Sequence, residues 1–198
     1  MEKFNILYID DNPEPSLGKY LDREYKNSEY ETKYSELKFD PENGYESLIR
    51  DPKVQSANII FIDSKLFENR TARNGKFSGE EFKIILRKYY PFIEVVVITQ
   101  NEPDLKVGTI SKYDSRRDKS ASEYYEKLLP SYIDKAIKNI LVYRRLAKQL
   151  EDNENWEVIL KEKIINSLHG INDYDELTKT DIDQLITTFK DIQESLDV

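Results

Sequence analysis

Three short apolar runs each stop at a polar side chain, and this arrangement restricts the fold more than any other feature of the chain. The clearest is Asn58–Lys65 (NIIFIDSK), where Ile59, Ile60, Phe61 and Ile62 run straight into Asp63. A continuous β-branched and aromatic run of this length, bounded by polar residues, reads as a strand buried on both faces, as in a parallel sheet. Phe4–Ile9 (FNILYI) leads in the same way into Asp10 and Asp11, and Phe92–Ile98 (FIEVVVI) leads into Thr99. Gly108–Ser111 (GTIS) reads as a short fourth buried strand ending at Lys112. Open α/β sheets bind ligands in the crevice outside the carboxyl ends of their strands. Asp63 is therefore the first candidate for a working residue.

The segments between these runs read as helices and turns. Asn12–Ser16 (NPEPS) is helix-start chemistry, and Leu17, Tyr20, Leu21 and Tyr25 follow at helical spacing. Tyr30–Phe39 reads as an outer strand, and Pro41–Arg50 as a short helix closed by Asp51-Pro52. Ser64–Ser78 lacks periodicity and reads as a long loop, whereas Phe82, Ile85, Leu86 and Tyr89 form a helical stripe ended by Pro91. Strands alternating with helices point to βαβ units. Beyond Tyr113 the pattern is helical throughout. Leu129, Ile133, Ala136, Ile140, Tyr143, Ala147 and Leu150 recur at spacings of four and three, a seam of about three heptads. That seam fits either an intermolecular coiled coil or a helix docked on the sheet. Pro130 places either a helix start or a kink. Two further amphipathic helices are expected, one over Asn155–Leu168 with Gly170 as C-cap, and one carrying Ile182 to Leu196 on one face.

Charge divides the chain in two. Residues 151–198 carry thirteen acids against four lysines, while residues 1–150 are nearly balanced at 26 basic and 25 acidic groups. An acidic tail argues against an appended DNA-binding module, which needs Lys and Arg to offset phosphate. The expected organisation is thus one α/β domain over 1–150, including its long last helix, and an acidic helical tail over 151–198. The absence of cysteine excludes disulfides and thiol chemistry. The start MEKFNILYIDD is neither a signal peptide nor a membrane span, and no apolar stretch of about 18 residues occurs. A cytoplasmic protein without membrane contact is expected.

Right-handed crossovers bring Asp10, Asp11, Asp63, Thr99 and Lys112 to one edge of the sheet. Carboxylates gathered there repel and raise one another's pKa unless a cation joins them. Oxygen-only ligation suits Mg²⁺. A lysine and a hydroxyl facing the same point are what a transferred phosphoryl group needs, and Asp63 would be the nucleophile that forms an aspartyl phosphate.

At these residues the chain resembles the receiver domain of two-component response regulators. The matching pieces are the acidic pair in LYIDDNP, Asp63 after NIIFI, Thr99 after VVVI, Lys112 in TISK, and Gly79 before the EEFKIIL helix. The resemblance covers residues 1 to about 150. It implies a flavodoxin-like, doubly wound sheet of five parallel strands in the order 2-1-3-4-5. It also implies phosphotransfer to Asp63 from a partner histidine kinase, with Mg²⁺ held by Asp11, Asp63 and the backbone carbonyl of Lys65, supported by Asp10. Thr99 and Lys112 would contact the phosphoryl group. The chain departs from the pattern in several places. The loop between Asp63 and Gly79 is longer than usual, and thirteen positions from Thr99 to Lys112 leave room only for a shortened fourth helix. Thr109 stands where receivers carry a switching aromatic, Gln100 where a small residue is usual, and Tyr113 where proline is usual.

Three readings follow. The leading one is a phosphorylatable signalling domain, not a turnover enzyme, whose C-terminal helices bind a protein partner or a second copy. The second is a phosphorylation-independent scaffold or decoy on the same fold. The third, an aspartyl-phosphate hydrolase, is disfavoured because Lys65 stands where that chemistry wants a second acid. His169, the sole histidine, reads as a complement to a helix dipole rather than a phosphorelay group. Trp156 reads as a packing anchor, and Arg116-Arg117 and Arg144-Arg145 as solvated faces.

Overall fold

The computed structural model describes residues 1–67, 78–101, 103, 109–152, 162 and 164–165. Five parallel strands form one sheet: β1 (Glu2–Asp10), β2 (Tyr30–Lys38), β3 (Ile59–Asp63), β4 (Glu94–Thr99) and β5 (Thr109–Ser111). Their order is β2-β1-β3-β4-β5, the flavodoxin-like order expected, with a switch point between β1 and β3. The helices are α1 (Pro15–Lys19), which continues as a π-helical turn over Tyr20–Glu24, α2 (Tyr45–Ile49), α3 (Pro52–Ser56), α4 (Gly79–Tyr89) and α5 (Ala121–Glu151).

The period of two explains why the inner strands are apolar throughout. Phe4, Ile6, Tyr8, Ile59, Phe61, Val96 and Ile98 point to one face, where Leu17, Tyr20 and Leu21 cover them together with Tyr125, Leu129, Ile133 and Ile137 of α5. Leu7, Ile9, Ile60, Ile62, Val95 and Val97 point to the other, under Leu48, Val54, Phe82 and Leu86 of α2, α3 and α4. With both faces covered, these strands have no solvent side to mark by alternation. β2 lies at the sheet's edge with much of its length half-buried or exposed, as expected of an outer strand.

Several local expectations are corrected. The segment 41–50 is not one helix. A 3₁₀ turn (Pro41–Asn43) stops at Gly44, whose φ of 70° suits glycine, and α2 starts afresh. α2 ends at Ile49 just before Asp51-Pro52, as expected, and the same pair also opens α3, with the Asp51 carboxylate accepting from the Lys53 amide at the N-cap. The start of the 64–78 segment belongs to the core. Leu66 and Phe67 are buried, and Phe67 packs its ring against Phe39 and Phe82 at centroid separations of 5.3 and 4.9 Å. Residues 68–77 of that segment lie outside the described residues.

Helix does not follow Tyr113 directly. A turn over Asp114–Asp118 intervenes, and α5 begins at Ala121 behind its N-cap Ser120. Pro130 neither begins nor ends the helix, which runs 31 residues and carries the proline inside. Within the chain, the seam docks on the sheet. Leu129, Ile133, Ala136, Ile140 and Ala147 are buried, the first four in the core against the strands. Tyr143 meets Phe92 edge-on at 4.9 Å. Among the described residues no helix is long and apolar enough to cross a membrane. Apart from residues 162 and 164–165, the expected helices beyond residue 152, with Trp156 and His169, lie outside the described residues, as does most of the segment between β4 and β5.

Candidate functional site

The sheet's register sets the site. Ile9 pairs with Ile62, so Asp10 and Asp63 each stand one step further on, at the carboxyl ends of the two strands that flank the switch point. Thr99 pairs with Ser111, which puts Lys112 just past the end of β5 at the same edge. Asp10, Asp63 and Lys112 also share the parity of Tyr8, Phe61 and Ile110, all of which face α5. Their side chains meet there. Lys112 Nζ lies 2.7 Å from Asp10 Oδ2 and 2.6 Å from Asp63 Oδ1, and all three side chains are at least nine-tenths buried.

The remaining carboxylate oxygens are also held. Asp63 Oδ2 accepts the Lys65 amide at 2.8 Å. Asp10 Oδ1 accepts the Asn12 amide at 2.9 Å, and Asp10 Oδ2 accepts the Tyr8 hydroxyl at 2.5 Å. Burial raises the pKa of Asp10, but bonds from Lys112, Tyr8 and Asn12 outweigh it and leave the group below its ordinary value. Asp63 goes the other way. Burial raises it, the nearby Asp10 charge adds to the rise, and Lys112 offsets only part. Burial favours the neutral form of Lys112, yet its two carboxylates raise its pKa overall and keep it charged.

Gly79 brings α4 close to the site. A Cβ on it would lie 2.5 Å from the Asp63 carbonyl oxygen and 2.9 Å from Ser64 Cα, both backbone atoms that cannot step aside. The Gly79 amide donates to the Ser64 carbonyl at 2.8 Å, and the Ser64 amide to Ile98 at 2.8 Å. A capping box between Ser78 and Glu81 starts the helix beside these contacts. The S-x-x-E spacing was the readable signal for that start.

The cleft over these groups measures about 350 Å³ and is lined by Asp10, Asp11, Asn12, Asp63, Lys65, Gln100 and Lys112. Thr99 is buried at the same edge, but its hydroxyl accepts the Asn101 amide at 3.1 Å. It shares the parity of Val95 and Val97, which face away from α5. Thr109 is buried and donates to Glu80 Oε1 at 3.1 Å, fixing β5 to α4. Sequence reasoning missed Tyr8 and Asn12. Tyr8 was detectable, because a residue two before Asp10 on a strand shares its face.

A divalent ion fits the cleft by the chemistry of its donors, since Asp10, Asp11 and Asp63 offer oxygen only. Among the described residues, however, no three acidic, histidine or cysteine side chains are gathered closely enough to hold a metal as they stand. Lys112 supplies the counter-charge between Asp10 and Asp63 instead.

No protein-family model matches the chain, and no curated protein does. Solved structures do. A two-component transcriptional regulator AraC from Clostridium phytofermentans is 15% identical, with a TM-score of 0.39 over 72% of this chain and 98% of that one. A response regulator from Burkholderia pseudomallei, solved with a phosphorylated aspartic acid, calcium and citrate, is 14% identical, with a TM-score of 0.34 over 87% of this chain and 98% of that one.

Proposed function

We propose that the chain is a receiver-like signalling domain whose phosphoacceptor is Asp63. The observation that carries this reading is the buried Asp63 carboxylate, at the carboxyl end of β3, bonded to Lys112 Nζ and opening on a cleft shared with Asp10 and Asp11. In the proposed step an Asp63 carboxylate oxygen attacks the phosphorus of a phosphohistidine on a partner kinase. The P–O bond forms as the P–N bond breaks, and the departing nitrogen keeps the electron pair, leaving a neutral imidazole whose other ring nitrogen already carries the proton. Lys112 holds Asp63 ionised before transfer and neutralises a phosphoryl oxygen after it. Asp11, Asp63 and the Lys65 carbonyl, with Asp10 behind them, would hold Mg²⁺, which neutralises phosphoryl charge when bound. The Thr99 hydroxyl accepts the Asn101 amide through a lone pair, so its own O–H stays available to donate to a phosphoryl oxygen.

Output in this reading passes through the C-terminal helices to a protein partner or a second copy, without nucleic acid. The domain boundary near 150 belongs to the same reading. A cytoplasmic location, where a histidine kinase's catalytic part resides, is proposed with it.

The test is phosphorylation of the full chain by acetyl phosphate with Mg²⁺, followed by Phos-tag mobility. A retarded band in the wild type that Asp63→Asn lacks is the expected result. No band in either protein would sink this reading. It would favour the alternative, a phosphorylation-independent scaffold, which draws support from the Thr109 hydroxyl being committed to Glu80.

A further inference from the structure

A closed ring of hydrogen bonds leads from the acidic cleft into α5. Tyr8 donates to Asp10 Oδ2 at 2.5 Å and accepts the Glu14 amide at 3.1 Å. Glu14 Oε2 accepts the Tyr125 hydroxyl at 2.7 Å, and that hydroxyl accepts the Tyr113 amide at 3.1 Å. Tyr113 follows Lys112, whose Nζ returns to Asp10 Oδ2 at 2.7 Å. Tyr8 and Tyr125 are fully buried, and each uses its hydroxyl as donor and acceptor at once. Neither phenol can shift without breaking two bonds in a place where broken bonds are costly. Tyr124 adds a grip on the other side, donating to the Ser111 carbonyl at 2.9 Å while its ring meets those of Tyr113 and Tyr125. The first two turns of α5 therefore hold residues 111–113 by side chains alone.

From this geometry we infer that Tyr8 and Tyr125 are positioning residues that couple the Lys112–Asp10 pair to the first turns of α5. A displacement of Lys112 in the cleft pulls Tyr113, loosens its amide from Tyr125, and frees or tightens the start of the helix. The physiological trigger rests on the reading of Asp63 as phosphoacceptor; the coupling is a property of the ring itself. Its physical content is that two local elements, the strand end at 111–113 and the α1 entry at Glu14, share one hydroxyl on a third.

Hydrogen exchange of the Tyr124–Leu128 amides in the full chain tests it with two triggers. One is Mg²⁺ with beryllofluoride, and the other is Lys112→Met with no ligand. Either is expected to change exchange there about fivefold, the factor for one net hydrogen bond. In a Tyr125→Phe background, which removes only the hydroxyl, neither trigger should change it, while the fluorine-19 signal of bound beryllofluoride persists. Glu14→Gln, which keeps an acceptor, should retain the response, and Glu14→Ala should lose it. An undiminished response to Lys112→Met in Tyr125→Phe would overturn the coupling, as would equal behaviour of the two Glu14 variants. If Tyr125→Phe does not fold, Tyr8→Phe makes the same comparison from the other end of the ring. Failure of the wild type to bind beryllofluoride counts against the Asp63 reading alone, because the Lys112→Met arm still decides the coupling.

Discussion

β1 ends in a salt bridge at both extremities, and the two could hardly be less alike. At its carboxyl end, Asp10 meets Lys112 with both side chains at least nine-tenths buried and Asp63 on the cation's other side. At its amino end, Glu2 meets Arg144 of α5 at 2.6 Å with the side chains 53% and 40% exposed. Clefts of nearly equal size lie beside them, about 350 Å³ at the carboxyl edge and about 360 Å³ at the amino edge. Their linings differ in kind. The first is lined only by polar side chains, three carboxylates, two lysines and two amides, whereas the second sets Tyr90, Phe92, Ile93 and Ile140 beside exposed groups such as Arg144. Neither volume nor the mere presence of an ion pair marks the chemical edge. Desolvation of converging charges does, because only there is the field of one group felt fully by the next.

Removing the buried cation should have the largest effect. Lys112→Met leaves two facing carboxylates without a counter-charge, and a loss of about 2–3 kcal/mol is expected, tempered by water entering the cleft. Urea unfolding at neutral pH measures it. Millimolar Mg²⁺ should restore more of the loss than the same ionic strength of NaCl does, since a specific cation can replace the ammonium and a screening one cannot. A variant as stable as the wild type would erase the distinction between the two edges.

The two acids at the buried edge should respond to pH with opposite sign. Asp10 has a lowered pKa, so it stabilises the fold above its ordinary value of 3.8 and loses that contribution as pH falls through the folded value. Asp63 has a raised pKa, so its folded form holds a proton more tightly than the unfolded chain does. Its cost is absent well below 3.8 and grows as pH rises through the folded value. Asp10→Asn should therefore destabilise at pH 7 by about 1–2 kcal/mol and become neutral in acid. Asp63→Asn should stabilise at pH 7 by about 1 kcal/mol, with the gain vanishing below about pH 4. Urea midpoints across pH 3–8 check both. Parallel curves for the two variants would show that Lys112 serves the acids equally.

The same contrast explains what could be read from the sequence. The inner strands were legible because burial on both faces leaves an uninterrupted apolar run, Asp63 as the first polar residue after such a run, and Lys112 as the residue at which the short GTIS strand ends. Gly79 was legible too, and the 2.5 Å approach to the Asp63 carbonyl supplies its physical reason. What could not be read is which face a strand-end side chain takes. Thr99 and Lys112 look equivalent in sequence, yet one bonds its own loop while the other bridges two carboxylates. The seam on α5 was ambiguous for another reason. Heptad spacing records only that one stripe is buried, not what buries it, and the sheet proves to be the partner for most of its length. The ring itself was hidden: Tyr8 shares the face of Asp10 by strand period, but Tyr8, Glu14 and Tyr125 come together only once α5 folds back across β1.

At the exposed edge the smallest effects are expected, and they can be resolved into parts. Arg144 touches Glu2, the Lys3 carbonyl at 3.4 Å, and the Phe4 ring at 4.6 Å from its centroid. Glu2→Gln removes only the ion pair, which is solvent-screened, so a change of about 0–0.5 kcal/mol is expected, fading further in 0.5 M NaCl. Arg144→Ala also removes the stacked guanidinium and the carbonyl bond. About 1 kcal/mol is expected, most of it insensitive to salt because a cation over a ring face is held by local contact as well as charge. Arg144→Lys should fall between them, as a compact ammonium cannot stack and bond the carbonyl at once. Measured by urea unfolding at two salt concentrations, the order Glu2→Gln, Arg144→Lys, Arg144→Ala tests whether the amino edge is held by packing. An equal, salt-sensitive loss in all three would make it an electrostatic site after all, and the two ends of β1 would then differ in degree rather than in kind.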